Sequence, residues 1–207
     1  MKETLKPIHF VQFKRIKIQE NLEKFLTEKF NLSANFKESQ NLYGEVSTEE
    51  SLEYQVDLDN IHVWLESHVV NSERRTALLL RSILADHDED VLKSAYGEYG
   101  RLLGTSQPNG EPLSDKAQIY NFVSSILLDG MPCDKVNALI DSDDNKVTWH
   151  GQSDVHGKHL IEHGLEPKLF YTFREAFLDS LLRTMGDYTY TVDARGDMIV
   201  NEISIGA

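Results

Sequence analysis

The sequence is poor in cysteine and proline and has no long apolar run. Its single cysteine, Cys133, excludes a disulfide within the chain and is compatible with a reducing compartment. No run approaches the roughly 20 apolar residues that a membrane span needs. The opening MKETLKPIHF also lacks the apolar stretch of a secretory signal. We therefore expect a cytoplasmic protein without a membrane span.

Chemical motifs and basic charge are also scarce. The sequence contains no glycine-rich phosphate loop, paired CxxC, HExxH or nucleophile elbow, so no motif identifies an enzyme. The net charge of −13 argues against a nucleic-acid partner, because phosphate contacts need clustered Lys and Arg. The first thirty residues differ, since seven Lys and Arg against four Glu give them a net charge of +3. This stretch is either a docking arm or a solvated amphipathic helix.

The remaining composition is that of a globular protein. Of the 207 residues 40% are hydrophobic, with 12 Gly and 5 Pro, and the chain is long enough to bury a real core. The polar stretch 31–53 is scattered with turn formers and indicates a linker. We therefore divide the chain into an N-terminal helical arm and linker, residues 1–53, and a main domain, residues 54–207.

Helical periodicity dominates the chain. Stripes of apolar residues predict helices in four places: 16–30, 73–85, 114–128 and 168–185. The segment DKVNALI, residues 134–140, indicates another short helix. Strands are expected in the tail, where DYTYTVDARGDMIVNEISI alternates around an Ala-Arg-Gly turn, with 54–58 as a second candidate. The expected fold is mainly α, with a short C-terminal β-hairpin.

Half of the eight histidines fall in one short segment, and three of them have helical spacing. A helix that begins near Ser153 or Asp154 would place His156, His159 and His163 at positions i, i+3 and i+7, on one face. Gly164 should end this helix, and Pro167 is well placed to open the next one. The imidazoles would then face the apolar stripe of the helix that follows.

This segment resembles the globins. In that family a helix with the haem-ligating histidine is followed by a corner with a Gly-aliphatic-x-Pro pattern and a long helix that begins with aromatic residues. His159, the corner Gly164-Leu165-Glu166-Pro167 and residues 170–186 occur here in that order. The likeness covers residues 60–186 and lacks a final H helix. It implies a globin-like helical bundle with an N-terminal helical extension.

The resemblance also implies a haem site. His159 would be the axial ligand, Gln118 a distal hydrogen-bond donor, and Phe122, Phe170 and Phe173 the apolar walls. The proximal imidazole would fix the iron, and the distal polarity would decide which diatomic ligand is held. The function implied is sensing or binding of oxygen or nitric oxide.

Two other hypotheses stay open at this point. The helical domain without haem would bind a small molecule or a protein partner, with a homodimer also open. Alternatively, His156, His159 and His163 would bind zinc or iron together with Asp154 or Glu162. A solvated, histidine-rich helix end accounts for the same spacing without a ligand.

Overall fold

The computed structural model describes residues 4–48, 51–56, 58–107, 115–143, 145–195 and 198–206, and this part of the chain is mainly helical. Its helices are α1 (Pro7–Lys29), α2 (Ser33–Tyr43), α3 (Leu52–Gln55), α4 (Ile61–Leu84), α5 (Glu89–Ser106), α6 (Lys116–Ile126), α7 (Gly157–Ile161) and α8 (Lys168–Leu182). Its strands are β1 (Asn137–Asp143), β2 (Lys146–Gly151), β3 (Tyr188–Arg195) and β4 (Met198–Ile205). None of the helices in these ranges is long and apolar enough to cross a membrane.

The two longest helices, α1 and α4, pack side by side and share a buried ionic cluster. Arg75 on α4 is fully buried, with Nε 2.7 Å from Glu23 Oε2 and Nη2 3.4 Å from Glu20 Oε1. Its Nη1 donates to Gly44 O at 3.0 Å. A charge removed from water needs such partners. The cluster therefore fixes α1 on α4 through polar contacts as well as apolar ones.

Helix α4 is longer than the sequence indicates. The apolar stripe predicted a helix over 73–85, but α4 starts at Ile61 and also includes Asn71 and Ser72, two residues that often precede a helix. Ser72 is buried, and its Oγ donates to Val69 O at 3.0 Å. A serine that bonds to the preceding turn can stay inside a helix, so its capping preference does not decide the boundary.

Helices α5 and α8 pack against each other, and glycine lets their backbones come close together. An added Cβ at Gly100 would overlap the carbonyl oxygen of Phe177 on α8. Without that Cβ the two backbones approach closely, and the rings of Tyr99 and Phe177 stack with centroids 5.9 Å apart. Helix α8 is a core helix, as predicted from its apolar stripe: Phe173 and Leu181 are fully buried.

The sheet is larger than predicted. Four antiparallel strands pair in the order β1-β2-β4-β3. The tail forms β3 and β4, which confirms two strands there, but the helix predicted over 134–140 is wrong, because residues 137–143 form β1. In β2, Val147 and Trp149 alternate with more exposed residues, so one face is buried. Pairing with β2 overrides the local helical pattern of DKVNALI.

Two further expectations are corrected. Residues 33–43 form α2, so about half of the predicted linker is helical. The strand considered at 54–58 is not observed, because Leu52–Gln55 is a single helical turn, and Asp57 lies outside the described residues. The boundary that we placed at residue 53 stays a prediction.

Candidate functional site

The histidine segment folds around Asp154. Its Oδ1 accepts hydrogen bonds from the backbone N–H of His156 at 3.0 Å and of Gly157 at 2.9 Å, and from the Tyr171 hydroxyl at 2.7 Å. Helix α7 is only five residues long, and it is followed by Gly164 with a φ of 74°, a conformation that favours glycine. Pro167 then precedes α8, as the sequence indicates.

His156 is the centre of a second buried ionic cluster. Only 1% of it is exposed, with Nδ1 2.9 Å from Glu73 Oε1 and Nε2 3.1 Å from Asp129 Oδ1. Ionised carboxylates only accept hydrogen bonds, so the two carboxylates favour a ring that carries a hydrogen on both nitrogens and is a cation. The ring stacks on Phe170, with centroids 3.8 Å apart. Phe170, one of the three phenylalanines predicted as walls of a haem site, therefore covers His156.

Arg174 completes this cluster. Its Nη2 donates to Asp129 Oδ1 and lies 3.0 Å from His156 Nε2, because both cations point at the same oxygen. Burial alone would raise the pKa of Asp129, but the Arg174 guanidinium and the hydrogen bond from His156 hold that pKa well below its usual range. Burial opposes the charge on His156, yet the carboxylate of Glu73 raises its pKa. Two cations and two carboxylates thus balance inside the protein.

The other two histidines of the segment have different environments. His163 Nδ1 lies 2.9 Å from His159 O, and its Nε2 lies 3.1 Å from the Tyr43 hydroxyl. The Nδ1 of His159 is buried and has no hydrogen-bond partner in the described part of the chain. Burial also lowers the pKa of His159. Across the described ranges, no three His, Cys, Asp or Glu side chains come together as a group that could bind a metal ion.

The residues predicted for a haem site lie in separate places. Gln118 is exposed on the first turn of α6, and Phe122 is half-buried on the same helix. Phe173 is fully buried and stacks on Tyr96, with centroids 5.2 Å apart. Helix α7 packs on α4 and α8, whereas α6 packs on α1 and β2. The structure therefore does not bring Gln118 to the imidazole of His159.

A groove of about 280 Å³ lies beside the His156 cluster, between α1, α6 and the start of the sheet. It is lined by Ile8, Arg15, Tyr120, Ser124, Leu127, Asp129, Met131, Pro132, Lys135, Val136, Asn137 and Trp149. Tyr120 and Trp149 form an aromatic wall, with their rings edge to face and centroids 5.6 Å apart. Asp129 lines the groove and also contacts His156, so the groove and the His156 cluster share this residue.

The groove carries the positive charge of Arg15, which feels the charge of Asp129 but makes no ion pair in the described residues. Arg15 is held by Gln12 Oε1, which accepts from Nη1 at 3.1 Å, and by the carbonyl oxygen of Ser124. Its Nε is buried without a hydrogen-bond partner in the described residues. No carboxylate in those ranges is within ion-pair distance of Arg15 or Lys135. Asp129 is already bound by Arg174 and His156, so the groove is locally cationic in a chain of net charge −13.

Two wider surface grooves, of about 530 and 650 Å³, differ in this respect. In the first, Lys168 Nζ lies 2.7 Å from Glu166, and in the second, Arg183 Nε lies 2.8 Å from Asp179. Lys168 and Arg183 are thus paired within the chain. Lys158, which also lines the first groove, makes no ion pair in the described ranges but is exposed, whereas Arg15 is half-buried and held by two hydrogen bonds. The groove at Arg15 is therefore the better candidate for a charged ligand.

Sequence reasoning missed this groove. Arg15 belongs to an amphipathic helix that we interpreted as an arm, and Asp129 and Lys135 lie in a connection without a known motif. One signal was available: the basic excess of the first thirty residues, to which Arg15 contributes. Comparison with models of known protein families, with curated proteins and with solved structures finds no match for this chain.

Proposed function

We propose that this chain is a binding module for a small organic anion, which it takes in the groove between α1, α6 and β1–β2. The observation that carries the proposal is the guanidinium of Arg15, which has no ion pair in the described residues. It is fixed by Gln12 and Ser124, and its Nε is buried without a hydrogen-bond partner there. Ligand sites combine apolar walls with a few convergent polar groups. Tyr120 and Trp149 supply the wall, and Arg15 supplies a charge of fixed orientation.

Carboxylates are the anions that this arrangement fits best. A guanidinium matches the geometry of a carboxylate and stays charged even where burial lowers its pKa, as it does for Arg15. Lys135 adds an exposed ammonium group, and Asn137 adds an amide whose Nδ2 also donates to Asp129 Oδ2 at 2.6 Å. The aromatic wall covers the uncharged body of the ligand.

Benzoate and benzamide test the proposal, because they have similar shapes and differ in charge. Trp149 lines the groove, so its fluorescence in a Trp64→Phe background reports occupancy. We expect benzoate to change the emission with saturation, and benzamide to leave it unchanged. Arg15→Gln should weaken benzoate binding by roughly tenfold to a hundredfold, the value of a hydrogen bond to a charged group.

Arg101→Gln is the matched control, because Arg101 is exposed on α5 and does not line the groove. It should bind benzoate as the parent does. The proposal fails if no carboxylate saturates the Trp149 signal, or if Arg15→Gln and Arg101→Gln bind equally.

Haem-dependent sensing by a globin-like fold is a second candidate. What supports it is one atom, the buried Nδ1 of His159, which has no hydrogen-bond partner within the described ranges. Burial lowers the pKa of this imidazole and so favours the neutral form that ligates iron. His159 would hold the haem iron, and haem when bound would supply the affinity for a diatomic ligand. The fit is partial, because Gln118 is exposed and Phe170 covers His156.

A further inference from the structure

A second, smaller cavity, the inner cavity, shares a lining residue with the groove. It measures about 40 Å³ and is lined by residues of α1, α5, α6 and α8. The shared residue is Leu127, which ends α6. Only 7% of Leu127 is exposed. One buried leucine therefore belongs to both the cationic groove and the inner cavity.

Tyr96 and three other polar residues line the inner cavity, and those three already make hydrogen bonds within the protein. Gln19 Nε2 donates to Thr76 Oγ1 at 2.8 Å, and the Tyr99 hydroxyl donates to Ile18 O at 2.9 Å. Arg174 donates to Asp129. A charged or strongly polar ligand group would find no free partner in them, whereas hydrocarbon would pack against Leu22, Ile126 and Phe177. The inner cavity is thus suited to an apolar chain.

We infer that the anion bound in the groove is amphipathic, with a carboxylate head at Arg15 and an unbranched apolar tail that reaches past Leu127 into the inner cavity. This inference rests on the proposed function, since it needs the head to bind at Arg15. Head and tail sites share Leu127 as a lining residue, so a single molecule can span both. The ligand class is that of medium-chain alkanoates.

A series of n-alkanoates from butanoate to decanoate tests the inference, with Trp149 fluorescence as the signal. Each methylene that becomes buried should tighten binding by about fourfold, until the inner cavity is full and affinity levels off. Leu127→Ala should move this plateau to tails longer by about two or three methylenes, because it removes three carbon atoms of the leucine side chain and leaves their space to the tail. Leu127→Phe should move it to shorter tails.

Leu92→Ala is the matched control, because Leu92 is fully buried in the same core but lines neither cavity. It should lose stability and keep the tail-length plateau of the parent. The series in the parent protein remains decisive if Leu127→Ala does not fold. Affinity that is independent of tail length, or a plateau unchanged in both Leu127 variants, would overturn this inference and leave anion binding intact. Failure of benzoate and of every alkanoate to bind would overturn both.

Discussion

The imidazole of His156 joins α4 to the segment before α8 through Glu73, whose Oε1 lies 2.9 Å from Nδ1. The pair spans 83 positions of sequence and is almost completely buried. Because Asp129 takes the other nitrogen, the charge on His156 depends on carboxylates from two distant parts of the chain. The cluster is thus a tertiary structure feature that can be tested residue by residue.

Glu73→Gln should lower the pKa of His156 and destabilise the protein. Removing one partner of a buried ion pair costs about 3 to 5 kcal/mol. In the parent the pKa of His156 is raised, so its contribution is fully present below about pH 6.5 and is lost as the pH rises through the folded-state value. An NMR titration of the His156 ring and denaturant unfolding at pH 6 and pH 9 measure both effects.

Glu166→Gln is the control for this variant, because Glu166 pairs with Lys168 on the surface. It should change the free energy of unfolding by less than about 1 kcal/mol. A His156 titration that is the same in Glu73→Gln and in the parent would contradict the assignment of a charged ring.

The buried carboxyl group of Glu23 leads to a second prediction about how the free energy of unfolding depends on pH. Burial raises the pKa of Glu23 to about 8, although Arg75 opposes the shift. Between its ordinary value of 4.5 and about 8, the folded protein binds a proton that the unfolded chain has lost. The free energy of unfolding from this group therefore falls as pH rises across that window and is constant above it.

Glu23→Gln cannot lose a proton, so its free energy of unfolding should fall less steeply than that of the parent between pH 4.5 and pH 8. Glu98→Gln, at a partly exposed pair with Lys29, should keep the slope of the parent. Urea unfolding at half-unit steps of pH measures the slopes. Parallel curves for Glu23→Gln and the parent would show that Glu23 is ionised in the folded state.

Gly100→Ala should destabilise the contact between α5 and α8. The new methyl group would overlap backbone at Phe177, which cannot rotate away, so a cost of about 1 to 3 kcal/mol is expected. Gly97→Ala is the comparison, since its methyl group would meet the side-chain oxygen of Ser180 at 2.9 Å, an atom that can move. Thermal unfolding should rank Gly100→Ala below Gly97→Ala. The opposite order would show that α5 and α8 do not make a tight backbone contact at Gly100.

Titration with haem tests which of the three histidines is needed to bind it. If haem binds, His159→Ala should abolish the absorption spectrum of a coordinated haem, whereas His163→Ala should only shift it. If the three histidines share a metal ion, losing His156, His159 or His163 should weaken binding by comparable large factors. Soret absorption and metal analysis of the purified variants are the measurements. If all three variants behave like the parent, these histidines form neither a haem site nor a shared metal site.

The parts of the fold that the sequence predicts are those where local pattern and tertiary environment agree. The apolar stripe that contains Phe173, Phe177 and Leu181 predicts α8, and the alternation of apolar and polar residues in the tail predicts β3 and β4. Leu139 and Ile140 illustrate the opposite case, since both are exposed on β1 although their segment has the pattern of an amphipathic helix. Only pairing with β2, which local periodicity does not contain, decides their conformation.

The candidate site was predictable only in part for the same reason. The histidine spacing drew attention to His156, which is indeed buried beside an aromatic residue. Its partners Glu73, Asp129 and Arg174 come from three separate segments, and no spacing rule joins them. Arg15 was one of many basic residues in an amphipathic helix until the fold placed it opposite Asn137 and Trp149.

The close approach of α5 and α8 has a consequence for the motions of the protein. Because the carbonyl oxygen of Phe177 occupies the space of a missing Cβ at Gly100, the backbones of the two helices are in direct contact there. The two helices should therefore open as one cooperative unit in hydrogen exchange, with the slowest amides in their facing turns. Helix α7, five residues long and flanked by Gly164, should exchange on a much faster timescale.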